Sequence, residues 1–440
     1  MENSKILKLK SKHQKLIETI DQVLTSTSRL GITHLTTEDV RFDGKHIRIG
    51  DSNLLNFGSC SYLGLELDKR LIAAAVDAVQ RYGTQFSSSR AYVSVTLYNE
   101  IESMLCKIFN QPVTLAPSVT LGHISNIPVL VGDSDAVIYD IQVHASVQNA
   151  LDLLKPRNIY LEELCHNRID ILEERILELK NKYEKIWFMA DGVYSMYGDF
   201  LPIRQLQNLL DKYERFHLYV DDAHGMSWTG KNGSGYVLSQ INYHPKLFLV
   251  MGLAKAFGAC GGVLVYPDDN YRRLVRNCGK TLIFSGPIQP PVLGAAIASA
   301  KIHLSDEIYT LQDNLQKQVK HFNLFAKKLH LPLVSESYSP IAFIGLGKPD
   351  VGYDLVKRLM DHGYYVNLSV FPSVSYNNSG LRVTLNLHQD VTDIEKLLHT
   401  IKEQLPLALS ENKSSIEEVY HFFQMNDSED DTERSIAKAS

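Results

Sequence analysis

Cysteine is scarce in this chain, and the five present (Cys60, Cys106, Cys165, Cys260 and Cys278) include no C-x-x-C pair. Their odd number and wide spacing argue against a disulfide framework or a zinc ribbon and predict free thiols in a reducing compartment. No run of about 20 apolar residues occurs, so no membrane span is expected. Positive charge is not in excess: 45 Lys and Arg stand against 50 Asp and Glu, a net charge of -5. That balance lacks the basic face of a nucleic-acid binder. The 16 histidines are scattered, with no metal-type tract. The N-terminus is charged and has no apolar leader core, which together with the thiols predicts a cytoplasmic protein. The Asn-x-Ser triplets at Asn232, Asn377 and Asn412 then read as turns rather than glycan sites.

What is present is an ordinary globular composition, 44% hydrophobic and 22% charged over 440 residues, enough for two or three domains. Residues 1–30 read as a lysine-rich amphipathic helix with Leu7, Leu9, Leu16, Ile17, Ile20 and Leu24 on its apolar side. Helices are also expected over 66–83 and 97–109. From about 113 to 265, short apolar runs alternate with helical periods. The runs are Ala136–Tyr139, Ile159–Leu161, Ile186–Met189, His217–Val220 and Leu247–Val250, with helices near 145–154, 168–183 and 203–214. This alternation predicts an α/β domain with a mostly parallel sheet covered on both faces. Ligands of such sheets bind at the carboxyl ends of the strands.

Gly286, Pro287, Pro290 and Pro291 then break the chain before a long helical stretch. Strands at 341–346 and 381–385 with helices at 350–361 and 391–403 predict a smaller second domain. The expected division is a helix and strand segment over 1–55, a large α/β domain over 56–290, a smaller α+β domain over 291–405 and a polar tail over 406–440. That tail, with its acidic cluster at 428–433, reads as frayed.

Two segments carry chemistry. Val220-Asp221-Asp222-Ala223-His224-Gly225 ends the fourth run and delivers two carboxylates and a histidine to the sheet's carboxyl end. A buried carboxylate needs a cationic or hydrogen-bonding partner. A protonated pyridine nitrogen, a metal ion, or simply the backbone of a capped strand end would serve. Gly252-Leu253-Ala254-Lys255-Ala256-Phe257-Gly258 follows the fifth run. A lysine among apolar neighbours has a lowered pKa and is suited to Schiff-base formation, although a loop lysine is more often solvated. A third segment, Leu115–Asn126, places hydroxyls and a glycine at a helix start, as an anion cradle or as a plain N-cap. Gly230–Gly235 does not match G-x-x-x-x-G-K-[ST] and reads as a turn.

Taken in order, several motifs resemble the α-oxoamine synthases over roughly 50–405. They are Asn56-Phe57 with Ser61–Leu65, Val143–Ser146, Asp191–Asp199, Asp221–Gly225, Lys255–Gly258, Phe284-Ser285 with Pro290-Pro291, and Leu381–Thr384. The resemblance implies a fold-type I pyridoxal-5'-phosphate (PLP) enzyme, with a large seven-stranded sheet domain and a smaller C-terminal domain. It further implies a homodimer with sites at the interface. Lys255 would carry the cofactor as a Schiff base, Asp221 would pair with the ring nitrogen, and His144 would stack on the ring. His224 and Ser195 would contact the ring oxygen. Thr120 and the backbone at Gly122 and His123 would hold the phosphate, and Arg382 would bind the substrate carboxylate.

The implied reaction condenses a small amino acid with an acyl thioester, on coenzyme A or a carrier protein, with Lys255 as general base. The sequence departs from the family pattern at Cys60 (commonly Asn), Tyr98 (His), Gly252 (Thr) and Ser285-Gly286-Pro287 (Ser-Thr-Ser). Cys60 alters the substrate pocket, and Ser118, Thr120 and Ser285 are left as candidate phosphate ligands. Another PLP reaction on the same fold (transamination, aldol cleavage or decarboxylation), a non-catalytic partner subunit, and a metal hydrolase on Asp221, Asp222 and His224 are the competing readings.

Overall fold

The computed structural model describes residues 11–38 and 41–425. The first helix runs Lys12–Arg29 and opens on a capping box, in which Ser11 and Gln14 satisfy each other's backbone N–H groups. Leu16 and Ile17 on it stay 44% and 52% exposed. Leu7 and Leu9 lie outside the described residues. Strands β1 (His46–Ile49) and β2 (Ser52–Asn56) form an antiparallel pair behind it.

The large sheet has seven strands: β3 (Val113–Ala116), β4 (Ala136–Asp140), β5 (Tyr160–Leu164), β6 (Ile186–Asp191), β7 (Phe216–Asp221), β8 (Leu247–Gly252) and β9 (Gly262–Val265). They lie in the order β3-β9-β8-β7-β6-β4-β5. Strands β4 to β8 pair parallel, and β9 runs antiparallel to both β8 and β3. Every residue of β6, β8 and β9 is buried, as expected of strands with helices on both faces. Strands β3 and β9 were not among the apolar runs read from sequence.

The smaller domain holds β10 (Ile341–Gly347), β11 (Tyr364–Tyr365), β12 (Asn367–Ser369) and β13 (Ser379–Thr384). Strands β10, β13 and β12 form an antiparallel sheet, while β11 pairs parallel with β2. Helix Val391–Glu411 runs past the expected end at 403 and through Pro406. Its apolar stripe, Ile394, Leu397, Leu398, Ile401, Leu405 and Leu409, continues across the proline and stays buried. Packing of that stripe outweighs the one backbone bond a proline removes. The expected tail is corrected again at Ile416–Phe423, a helix capped by Ser415 with Val419 fully buried. It packs on β10 at Gly345 and Gly347, where side chains would collide with Phe423 and Phe422. The acidic cluster at 428–433 lies outside the described residues.

Candidate active site

Strands β6 and β7 end side by side in register on Asp191 and Asp221, at the mouth of a cavity of about 230 Å³. Both carboxylates line it, with Lys255, His144, His224 and Thr120. Asp221 accepts from His123 Nε2 at 2.9 Å and from the Ala223 N–H at 3.0 Å. His123 Nδ1 lies 2.7 Å from the Tyr219 hydroxyl. Burial opposes the charge on Asp221, but His123 and then Lys255 overcome it and hold this carboxyl below the ordinary range. Asp191 has only the His144 N–H at 3.0 Å. Burial and then the repulsion of Asp221 push its pKa well up, against the pull of the His144 N–H and Lys255.

Lys255 sits in the turn between β8 and β9, where the Gly258 N–H closes back on its carbonyl at 2.9 Å. Burial lowers its pKa below that of an ordinary lysine, against the pull of Asp221. Burial likewise keeps His144 and His224 neutral, aided in both by the nearby Lys255 charge. His144 opens helix Ala145–Asp152 and is oriented by Ser146, with Nδ1 2.6 Å from its hydroxyl. His224 is oriented by the Tyr62 hydroxyl, 2.9 Å from its Nδ1. Tyr62 is fully buried and held at φ +45°, a conformation costly for a bulky residue.

Helix Val119–Leu130 points its N-terminus into the cavity. Ser118 caps the Leu121 N–H, and the Gly122 N–H is already bonded to the Ser118 carbonyl at 2.9 Å. The orphan donors of the first turn are therefore those of Val119 and Thr120. This corrects the expectation for Gly122 and His123. Gly122 is small because Leu264 packs on it, and His123 turns its ring to Asp221. Thr120 stays in the site.

Ser195 is not on the wall of this cavity. It lines a neighbouring one of about 590 Å³, between the loops at 141–148, 194–197 and 372–375, which shares only His144 with the first. Arg382, on β13 of the smaller domain, is buried and donates its Nε–H to the Ser195 carbonyl at 2.6 Å. Both of its Nη atoms lie 3.6 Å from Cys60 Sγ, so Cys60 and Arg382 do meet.

The departures find local causes. A side chain at Gly252 would press on Ala223. Tyr98 lies outside the cavity lining; its hydroxyl accepts the Ile288 N–H and its ring lies under Arg90. Ser285 is tied to its own helix at Thr281, away from the cavity of its own chain. Asp222 faces away from Asp221, accepting the Val237 N–H among Gly192, Gly225 and Gly235. The pair cannot converge on one metal ion as they stand. Asp191, Tyr62 and Val119 were not assigned roles from sequence. Asp191 carried the same signal as Asp221, a carboxylate at the end of a buried strand.

An anion cradle at a helix start, a carboxylate held charged, a deprotonation-prone lysine and two neutral histidines all line one cavity. That donor set fits PLP, and fold and site together define a PLP-dependent enzyme of fold type I. The aminotransferase class I and II family matches residues 52–401. The 8-amino-7-oxononanoate synthase of Thermosipho melanesiensis is 29% identical over 367 residues, 82% of this chain and 90% of that one. The serine palmitoyltransferase of Sphingobacterium spiritivorum is 28% identical over 376 residues, 83% and 89% of the two chains. A serine palmitoyltransferase structure with PLP superposes at a TM-score of 0.82 with 22% identity, covering 91% of this chain and 99% of that one. The chain belongs to the aminotransferase class I and II family and, within it, is an enzyme of the α-oxoamine synthase type.

Proposed function

We propose that this enzyme condenses a small amino acid with an acyl thioester, releasing the free thiol and, with loss of carbon dioxide, an α-amino ketone. The observation that carries this reading is the second cavity. A condensing enzyme must seat two substrates at once, and the 590 Å³ space lies beside the cofactor cavity, with His144 lining both.

Bound PLP supplies an electron sink for a carbanion at the amino acid's α-carbon. Asp221 would keep the ring nitrogen protonated, and His123 keeps Asp221 charged. The Val119 and Thr120 N–H groups and the Thr120 hydroxyl would hold the phosphate, while His144 would cover the ring. His224, fixed by Tyr62, would meet the ring oxygen. Ser195 supplies its carbonyl to Arg382 rather than a ring contact. Arg382, whose two Nη groups rest on Cys60 Sγ in this structure, would turn its planar fork to the substrate carboxylate. Lys255 would hold the cofactor and, once freed by the amino acid, would serve as the base for the α-proton, a task its lowered pKa favours.

The chain would work as a homodimer. Tyr92 and Phe284 are 90% and 83% exposed on adjoining segments joined by the Ser89 to Ile283 hydrogen bond, an apolar patch suited to a second copy. The unpaired cysteines support a reducing, cytoplasmic setting.

The test combines visible absorbance of the purified holoenzyme and of Lys255→Ala with thiol release from acyl thioesters in the presence of glycine, alanine or serine. The expected result is a cofactor band lost in the variant, and thiol release that depends on one amino acid. A normal band with no thiol release across amino acids and acyl lengths would overturn condensation in favour of another PLP reaction.

A further inference from the structure

His166 lies outside the cofactor cavity, in the turn after β5, with both ring nitrogens facing carboxylates. Nδ1 is 3.0 Å from Asp140 Oδ1, at the end of β4, and Nε2 is 2.7 Å from Asp199 Oδ2. With a carboxylate on each side, the ring satisfies both by donating twice, as the imidazolium, while the Asn167 amide nitrogen 3.1 Å from Nε2 has the Asp199 carboxylate and the Phe200 carbonyl as its own acceptors. Burial opposes that charge, but Asp140 and Asp199 outweigh it and raise the pKa to about 9. The edge of the Tyr194 ring meets His166 at 4.4 Å and 89°. Asn167 reinforces the junction, its N–H on Asp140 at 2.9 Å and its amide on the Phe200 carbonyl at 3.2 Å.

Asp199 and Tyr194 are the two ends of one tight loop. The Tyr194 N–H bonds the Asp199 carbonyl, and the Gly198 N–H bonds the Tyr194 carbonyl, each at 3.0 Å. Gly198 takes φ +70°, and a side chain there would strike the Ile341 carbonyl. The Ser337 hydroxyl holds the Gly198 carbonyl from the smaller domain. The second residue of this loop is Ser195, whose carbonyl receives Arg382 Nε. His166 therefore clamps the base of the loop that orients the guanidinium, without touching it. The clamp also supplies a cation to an acidic floor, since Asp140, Asp191, Asp199 and Asp221 all gather at this end of the sheet.

We propose that His166 is a positioning residue for substrate recognition: its ring pins the 194–199 loop so that the Ser195 carbonyl aims Arg382 at the amino acid's carboxylate. This rests on the reading of Arg382 as the carboxylate anchor. It separates two ligand classes, because an amine lacking the carboxylate still reacts with the cofactor but has no use for Arg382.

The experiment titrates holoenzyme with glycine, L-alanine and L-serine, and with methylamine, ethylamine and ethanolamine, following the cofactor absorbance. Wild type, His166→Gln, Asp199→Asn and Arg382→Gln are compared. Arg382→Gln should weaken amino-acid binding by about tenfold or more and leave amine binding within about twofold. His166→Gln should show the same selective loss at about five- to tenfold, with the cofactor band unchanged. Asp199→Asn, which keeps the loop's shape and removes one of the two carboxylates, should fall between wild type and His166→Gln. It is also the deciding variant where His166→Gln does not fold. Equal losses for amino acids and amines in the His166 and Asp199 variants, or no loss for either, would overturn the proposal while leaving Arg382 as the anchor. An Arg382→Gln enzyme that fails to separate the two classes would overturn the anchor reading and the proposal with it.

Discussion

The ends of β6 and β7 offer a controlled comparison. Each finishes on an aspartate, the two are paired in register, and both line the same cavity. Asp221 is met by an imidazole from the neighbouring helix and lies in the field of Lys255, and it stays charged. Asp191 also feels Lys255, but it is met by just one backbone N–H and by the charge of Asp221, and its pKa is pushed well up. Residue type is shared and surroundings differ, so one carboxylate is suited to hold a pyridinium and the other is shifted toward its protonated form and holds the His144 N–H.

The sharpest way to break the comparison is to make each an amide. Asp221→Asn removes the charge opposite the ring nitrogen and should reduce kcat/KM about a thousandfold or more, ~4 kcal/mol of barrier. Asp191→Asn keeps the oxygen that accepts the His144 N–H and removes only a charge that the site disfavours, and should lose less than about tenfold. Steady-state kinetics on the two variants check this; equal losses would mean that Asp191 also works as a charge.

A smaller effect sharpens the origin of the difference. His123→Leu strips Asp221 of its side-chain donor, and a hydrogen bond to a charged group is worth roughly 1.5–3 kcal/mol. Cofactor dissociation, measured by dialysis of the holoenzyme, should rise by about tenfold, and the pH titration of the visible band should shift. No change in either would assign the charge on Asp221 to Lys255 and the Ala223 N–H instead of His123.

The smallest effect concerns the third carboxyl, Asp222, which burial and then the charge of Asp221 raise to about 8. Its unfolded value is about 3.9. Between the two, the folded chain holds a proton that the unfolded chain has lost, so stability falls as pH rises from about 4 to about 8 and then levels. Asp222→Asn should flatten that slope and narrow the gap in Tm between pH 5 and pH 8 by a few degrees, read by thermal melts of the apoprotein. An unchanged gap would mean that Asp222 is already ionised in the fold.

Local pattern made much of this legible. Lys255, Asp221 and His224 follow buried apolar runs directly, so the rule that loops after parallel strands carry chemistry found them. His144, Cys60 and Arg382 came only through resemblance, since an arginine inside Leu-Arg-Val-Thr shows no local sign of its task. Gly122 and His123 came as phosphate holders through resemblance, whereas the Ser118 cap decides which N–H groups remain free, those of Val119 and Thr120. The C-terminal helix was missed because Pro406 and the polar residues after it look like an ending.

The amino-acid sequence by itself determined the alternation that makes the parallel sheet, the placing of a carboxylate and a lysine at its carboxyl end, and the family. These follow from spacing along the chain, where hydrophobic period and strand ends act locally. Tertiary structure alone decided that His123 serves Asp221 across 98 positions, that Asp191 and Asp221 ionise differently, and that Ser195 turns its carbonyl to Arg382 from another domain. Each depends on distance and burial between groups far apart in the chain, and the electrostatics that set their protonation act through space rather than along the sequence.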